Sequence, residues 1–207
     1  MDVHKIYSAI FSVTRKQRMK LFQDLFAPSK DTKIIDVGGL PYNWQYIPEK
    51  PQITLVNLGA KYWKKDNIHM EDGDGTNLRY DDFSFDIAYS NSVIEHVGDR
   101  DKQRAFANEI SRVAPKYFVQ TPNSRFFIEP HYLAPFIHYF PKKIQRVLIK
   151  YFSVLGLTTR LSQEKIDEMV ENTRLLNQEE MRDLFPDSVI YTEKFLGMTR
   201  SIIAVRL

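Results

Sequence analysis

Acids, glycines and small polar residues close several short apolar runs in this chain. An open parallel sheet binds its ligands beyond such strand ends. Asp36, Gly38 and Gly39 end the run that begins Lys33-Ile34-Ile35. Glycines there let a ligand approach the backbone closely. Asn57 lies near the end of Ile53–Leu58, 21 positions after Asp36. Its amide oxygen can accept from a ribose hydroxyl, without the charge an acid would bring. In Asp72-Gly73-Asp74-Gly75-Thr76-Asn77-Leu78, either a surface turn or an adenine clamp fits. In a clamp, an Asp carboxylate accepts from the exocyclic amine and the next backbone N–H donates to a ring nitrogen. A calcium loop is excluded, because Asn77 and Phe83 stand where its glycine and bidentate acid are required. Ser90-Asn91-Ser92 ends the run starting at Phe85 and leads into Val93-Ile94-Glu95-His96-Val97. The Gly-x-Gly-x-x-Gly fingerprint is absent, since Leu40 and Pro41 follow Gly39, and this counts against a nicotinamide dinucleotide.

Imidazoles supply the candidate acid–base groups. His131, in Ile128-Glu129-Pro130-His131-Tyr132, can contact an acceptor or take its proton, and Glu129 has similar standing. His96 is either a packed or capping residue or a third catalytic candidate. His138 lies seven residues after His131, but two histidines are too little to assign a metal, and none is assigned. His4 and His69 have no evident role. Trp44, Tyr42 and Tyr46 either close over a ligand or belong to the core.

The elements that must hold these residues follow from the hydrophobic pattern. Apolar residues at helical spacing over 3–26 predict one or two amphipathic helices, and Arg15, Lys16, Arg18 and Lys20 either form a solvated face or meet an anionic partner. The runs at 33–37, 53–58, 68–70, 85–90 and 117–120 predict strands, and 101–113 predicts a helix. Such alternation means a mostly parallel sheet with helices on both faces. Ser188–Thr192 and Ser201–Val205 predict a closing antiparallel pair, after a short helix near Met181. Residues 124–177 break the rhythm and are too long for a plain loop. They predict a helical lid whose apolar wall includes Phe126, Phe127, Tyr132, Phe136, Tyr139 and Phe140. Residues 142–152 read as a basic amphipathic helix, a lid with solvated lysines or a contact for an anionic membrane or lipid-like acceptor.

Composition bounds the class. The 207 residues are 43% hydrophobic and 27% charged, with 8 Gly and 10 Pro, which excludes disordered and collagen-like chains. Absence of cysteine excludes disulfide scaffolds, cysteine nucleophiles and zinc ribbons and fits a reducing compartment. No apolar run is long enough to span a bilayer, and the N-terminus does not read as a signal peptide, so a cytoplasmic location is expected. A net charge of +3 is too mild to argue for nucleic acid.

Taken in order, Asp36-Val37-Gly38-Gly39, Asn57, Gly73–Leu78 and Phe85-Asp86-Ile87-Ala88-Tyr89-Ser90-Asn91-Ser92-Val93-Ile94-Glu95-His96-Val97 resemble the motifs of class I S-adenosylmethionine-dependent methyltransferases, small-molecule type, often called methyltransferase domain 11. The resemblance implies a Rossmann-like, seven-stranded α/β domain over 1–207. Its parts would be N-terminal helices at 1–29, a cofactor core at 30–123, a lid and acceptor region at 124–177, and a closing helix and strands at 178–207. It implies that Asp36, Gly38 and Gly39 face the amino-acid part of S-adenosylmethionine. Asn57 would meet its ribose, Leu58 pack on the adenine, Asp74 and Gly75 hold the adenine edge, and Ser90 and Asn91 lie under the sulfonium and the acceptor. Leu40 and Tyr42 replace further glycines of the family's loop, and Asn57 replaces its ribose acid. A non-catalytic binding or scaffold module with a degenerate cofactor site is therefore the alternative to transfer onto a small-molecule acceptor.

Overall fold

A computed structural model describes residues 3–129, 131–132, 134–159 and 161–207, with side chains from Thr14 onward. A single helix, α1 (Val3–Phe26), precedes the first strand. The strands are β1 (Lys33–Val37), β2 (Gln52–Asn57), β3 (Trp63–Lys65), β4 (Ile68–Asp72), β5 (Ile87–Asn91), β6 (Lys116–Pro122), β7 (Ile128–Glu129), β8 (Ala134–Pro135), β9 (Val189–Phe195) and β10 (Met198–Arg206). Helix α2 (Arg100–Val113) joins β5 to β6. Helices α3 (Lys142–Phe152), α4 (Val154–Thr159) and α5 (Gln163–Glu171) fill the long excursion, and α6 (Gln178–Leu184) leads to β9.

Eight strands form one sheet in the order β3-β4-β2-β1-β5-β6-β10-β9. Strand β1 pairs in parallel with β2 and β5, so the strand order reverses at β1. The closing pair β9–β10 is antiparallel, as expected. The expected count of seven is corrected to eight by β3, which runs antiparallel to β4 at the edge. Its three residues are all exposed and two are lysines, so no apolar alternation announces it. Only Asp66-Asn67 separates it from β4, and Asp66 has φ 53°, as a tight hairpin requires.

Helical crossovers were expected throughout, but β1 to β2 is bridged by a 3₁₀ segment, Pro41–Tyr46. Pro41 starts it, and Pro48 and Pro51 leave no room for an α-helix, because proline lacks an N–H and disfavours helix in the residue before it.

The chain divides into two compact parts. The first comprises the residues up to Ser90, Glu109–Phe118 and Arg206–Leu207. Its core is aromatic: Phe22 meets Trp44, Tyr89 and Phe118 edge-on, and Tyr89 stacks on Phe118 at 5.4 Å. Trp44 is thus a core residue. The second part comprises Asn91–Asn108 and Val119–Val205. Tyr132, Ala134, Ile137, Ile149, Ile166 and Val170 form an apolar cluster there. Ser153 Oγ accepts from Gly156 N–H at 2.9 Å and donates to Ile149 O at 2.6 Å, closing the α3–α4 corner. The expected lid is helical but begins with a two-stranded ribbon, β7–β8, that brings Glu129 into the interior.

Candidate functional site

In the first part, the carboxyl ends of β1, β2 and β4 are tied together. Asn57 Nδ2 donates to Gly39 O at 2.9 Å, so the amide expected at a ribose also holds the glycine turn. Gly38 takes φ 79° and its N–H donates to Val56 O at 2.8 Å. Gly73 N–H donates to Asn57 O, and Gly59 N–H to Asp72 Oδ1 at 2.6 Å. Asp72, which opens the segment read from the sequence as a surface turn or an adenine clamp, thus organises the turn after β2.

Asp36 is fully buried. Trp44 Nε1–H donates to its Oδ2 at 2.9 Å, while Oδ1 has no partner. Burial pushes its carboxyl up to about 7, against the smaller opposing effect of the Trp44 bond. A Cβ on Gly39 would stand 1.8 Å from Asp36 Oδ2, so the carboxyl occupies the space that glycine leaves. The orphaned oxygen and this cradle fit a cationic ammonium group such as that of S-adenosylmethionine.

Asp74 is exposed, and its Oδ1 accepts from Thr76 N–H and Thr76 Oγ1–H, both at 2.8 Å. The turn is pinned from α2: Leu78 N–H donates to Glu109 Oε2 at 2.6 Å, and Arg112 donates to the carbonyls of Leu78 and Tyr80 and to Asp82. Leu58, expected against an adenine, is 81% exposed. Ser90 is buried and donates through Oγ to Val37 O at 2.9 Å, a bond that fixes β5 against β1. Asn91 is half-buried at the end of β5. Ser92 follows with φ 57°, a left-handed conformation held by Ser92 N–H to Gln120 O and Ser92 Oγ–H to Gln120 Oε1.

In the second part, Glu95, His96, Glu129 and His131 come together. His131 Nδ1 lies 2.6 Å from Glu129 Oε1, and Tyr132 N–H donates to Glu129 Oε2 at 2.8 Å. Glu129 is buried with both oxygens engaged, so it positions His131. His131 Nε2 faces His96 Nε2 at 3.0 Å and Glu95 Oε1 at 3.9 Å. Glu95 is fully buried; Thr121 Oγ1–H donates to its Oε2 at 3.0 Å, and Oε1 has no hydrogen-bond partner.

Burial pushes Glu95 up to about 7, although the His131 charge pulls it down. Burial, then the neighbouring His131, drives His96 down to about 4. For His131 burial acts downward, but the hydrogen bond and charge of Glu129, with the charge of Glu95, outweigh it and raise the ring above its ordinary value.

The turn that presents Glu95 is held from behind. Gln103 Nε2 donates to Ile94 O and Arg174 O, and Arg174 N–H donates to Glu95 O at 2.7 Å. Glu95 and Thr121 were not among the expected site residues; adjacency to His96 was the one signal for Glu95. His138 does not join His131: its Nε2 lies 3.0 Å from Ser124 O. A cavity of about 320 Å³ adjoins Glu129, lined also by Tyr132, His138, Tyr139, Arg125 and Thr173. Of the expected apolar wall, Tyr132 and Tyr139 reach it, whereas Phe126 is buried against Phe195.

Residues 50–116 match the family model described as a methyltransferase domain, a span holding Asn57, Asp74, Gly75, Ser90, Asn91, Glu95 and His96. The fold is that of a class I S-adenosylmethionine-dependent methyltransferase. Among solved structures, a SAM-dependent methyltransferase from Methanosarcina mazei is similar at 12% identity, over 86% of this chain and 92% of that one, with TM-score 0.50. The Haloferax volcanii methyltransferase solved in complex with its Trm112 activator aligns at 15% identity over 91% and 92%, with TM-score 0.52. A candidate Zn-dependent alcohol dehydrogenase from Rhodobacter sphaeroides aligns at 10% identity over 91% and 88%, with TM-score 0.61. At these identities the likeness is one of fold, which hosts many chemistries. No curated protein matches this chain at a significant level. No helix among the described residues is long and apolar enough to cross a membrane.

Proposed function

We propose that this methyltransferase-fold protein is an enzyme that moves a methyl group from S-adenosylmethionine to a small-molecule acceptor. The observation that carries the reading is the linked set of strand ends around Asp36, where a buried carboxylate oxygen waits for a cation beside a glycine that cannot grow. Asp36 Oδ1 receives the cofactor's ammonium, and the Gly38–Gly39 turn lets its amino-acid part lie close to the backbone. Asn57 meets the ribose, Leu58 covers one face of the adenine, and Asp74 Oδ2 with Gly75 N–H reads its edge. Ser90 and Asn91 border the transferred methyl. The cofactor supplies an electrophilic methyl on a sulfonium; the protein supplies orientation and exclusion of water.

The acceptor is activated at His131, which Glu129 holds in orientation, with His96 beside it. Glu95 and His96 follow Asn91 by four and five residues in the chain. The 320 Å³ cavity is the size of a small-molecule site and mixes rings with polar groups. Other small-molecule methyltransferases share the fold: a Haemonchus contortus phosphoethanolamine N-methyltransferase solved with phosphomonomethylethanolamine and S-adenosylhomocysteine aligns at TM-score 0.54.

Calorimetric titration with S-adenosylmethionine, S-adenosylhomocysteine and NAD tests the reading. Micromolar binding of both sulfur ligands, none of NAD, and at least tenfold weaker binding by Asp74→Ala are expected. Absence of binding by both sulfur ligands would favour the scaffold alternative.

A further inference from the structure

We propose that Glu95, His96 and His131 bind a divalent first-row transition-metal cation through Glu95 Oε1, His96 Nε2 and His131 Nε2. These ligand atoms lie within 4.8 Å of one another, on residues graded from buried to exposed. The inference rests on geometry within one compact part of the chain and needs no bound cofactor.

The two imidazoles are turned outward at Nδ1 and inward at Nε2. His131 Nδ1–H is taken by Glu129 Oε1 at 2.6 Å. His96 Nδ1 lies 3.5 Å from Thr173 Oγ1, and its ring is bonded to the backbone of Asn172. That leaves two Nε2 atoms facing each other at 3.0 Å. Between neutral rings with protonated Nδ1 atoms, this places lone pair against lone pair. Two nitrogens at about 2.0–2.1 Å from one metal, at angles from square to tetrahedral, stand about 2.9–3.4 Å apart. The observed separation falls within that range, as it also does for a hydrogen bond between the two rings.

The third ligand is also prepared. Glu95 Oε2 is held by Thr121 Oγ1, and Oε1 is buried, unbonded and 3.9 Å from His131 Nε2. This is roughly half an ångström to an ångström wider than neighbouring ligands require, within reach of a small side-chain rotation. Glu129 then acts as the outer carboxylate that fixes a metal-bound histidine, one of the partners such histidines take alongside backbone carbonyls and water. Two histidines and one carboxylate on one side leave the remaining positions open, the pattern of catalytic rather than structural metals. His96 is exposed and His131 partly so, which leaves those positions reachable. An acceptor oxygen or nitrogen is the ligand they would take. In that case His131 activates the acceptor through the metal, a role that rests on the methyl-transfer reading, whereas the metal site itself does not.

The test is titration of chelator-treated protein with Zn²⁺ by calorimetry, and with Co²⁺ by its ligand-field absorption. One site of micromolar or tighter affinity is expected. Glu95→Gln, His96→Ala and His131→Ala should each weaken it by at least 100-fold, and Glu129→Gln by about 10–100-fold. His138→Ala, which leaves the cluster intact, should leave the metal affinity unchanged. Circular dichroism of each variant establishes that it folds. Binding that is absent, or equal in all variants, would overturn the proposal and leave the imidazoles joined by a shared proton. S-adenosylhomocysteine titration of His96→Ala separates the two readings: retained cofactor affinity with lost metal supports both, and retained metal without cofactor affinity in the native protein sinks only the methyltransferase proposal.

Discussion

Asp36 shows how one residue carries opposing demands. Its carboxyl is held up to about 7 because burial outweighs the Trp44 bond, whereas an ordinary aspartate titrates at 3.8. The folded protein therefore keeps a proton that the unfolded chain releases across this window. The Asp36 contribution to stability is full below about pH 4, falls as pH rises towards 7, and is lost above it. A shift of this size corresponds to at most about 4 kcal/mol. Asp36→Asn keeps an acceptor for Trp44 Nε1–H and does not titrate. Thermal melts at pH 5.5 and 7.5 should show the wild type losing several degrees more than the variant. Parallel losses would remove Asp36 as the source. The sequence marked this position through a β-branched run ending in Asp-Val-Gly-Gly. It did not mark the Trp44 bond, because an eight-residue separation across a 3₁₀ segment has no period to read. The same holds at the second cluster: His96, Glu129 and His131 were singled out individually, but their convergence depends on the β7–β8 ribbon, whose strands are two residues each and carry no pattern.

At the scale of elements, α2 does more than cross from β5 to β6. Its last turn carries Glu109 and Arg112, which pair at 2.8 Å and together hold the backbone of Leu78 and Tyr80. The turn bearing Asp74 and Gly75 is thus braced by a helix read from the sequence only as an amphipathic segment. Arg112 is partly exposed, so its ion pairs are screened, and its hydrogen bonds to two carbonyls matter more. Arg112→Ala should lower the melting temperature by a few degrees and weaken S-adenosylhomocysteine binding several-fold, measured by calorimetry. Unchanged affinity with lowered stability would make the brace purely structural. In the excursion, Lys142, still half exposed, pairs with Glu171, and Arg146 pairs with Asp167 and Glu171, so α3 is tied to α5. Lys143 and Lys150 are exposed beside Val147, Tyr151 and Phe152. This is the face on which contact with an anionic membrane or lipid-like acceptor would rest. The strand-and-helix alternation was legible because buried parallel strands are continuous apolar runs. The edge strand β3 and the helix-free β1–β2 crossover were not, because polar exposure and proline spacing decide them.

At the scale of the whole molecule, ligand binding and folding draw on the same proton. Without a cation beside it, the Asp36 carboxyl is mostly protonated below pH 7. An ammonium seated against Oδ1 requires the ionised form, so binding expels a proton wherever the free protein holds one. Affinity for S-adenosylhomocysteine should therefore rise between pH 5.5 and 7.5, by roughly 20-fold if Asp36 alone is responsible. The sign is opposite to that of the Asp36 contribution to the free protein's stability, which falls over the same interval. A protein saturated at 100 times its dissociation constant gains about 2.7 kcal/mol, worth roughly 5–10 °C for a chain of this size. At a fixed ligand concentration the bound protein should then lose fewer degrees between the two pH values than the free protein does. Calorimetry in buffers of different ionisation heat would count the released proton directly. Asp36→Asn should bind weakly and without pH dependence. An affinity that is level with pH in the native protein would mean that the ammonium lies elsewhere, and the orphaned Asp36 oxygen would then need another partner.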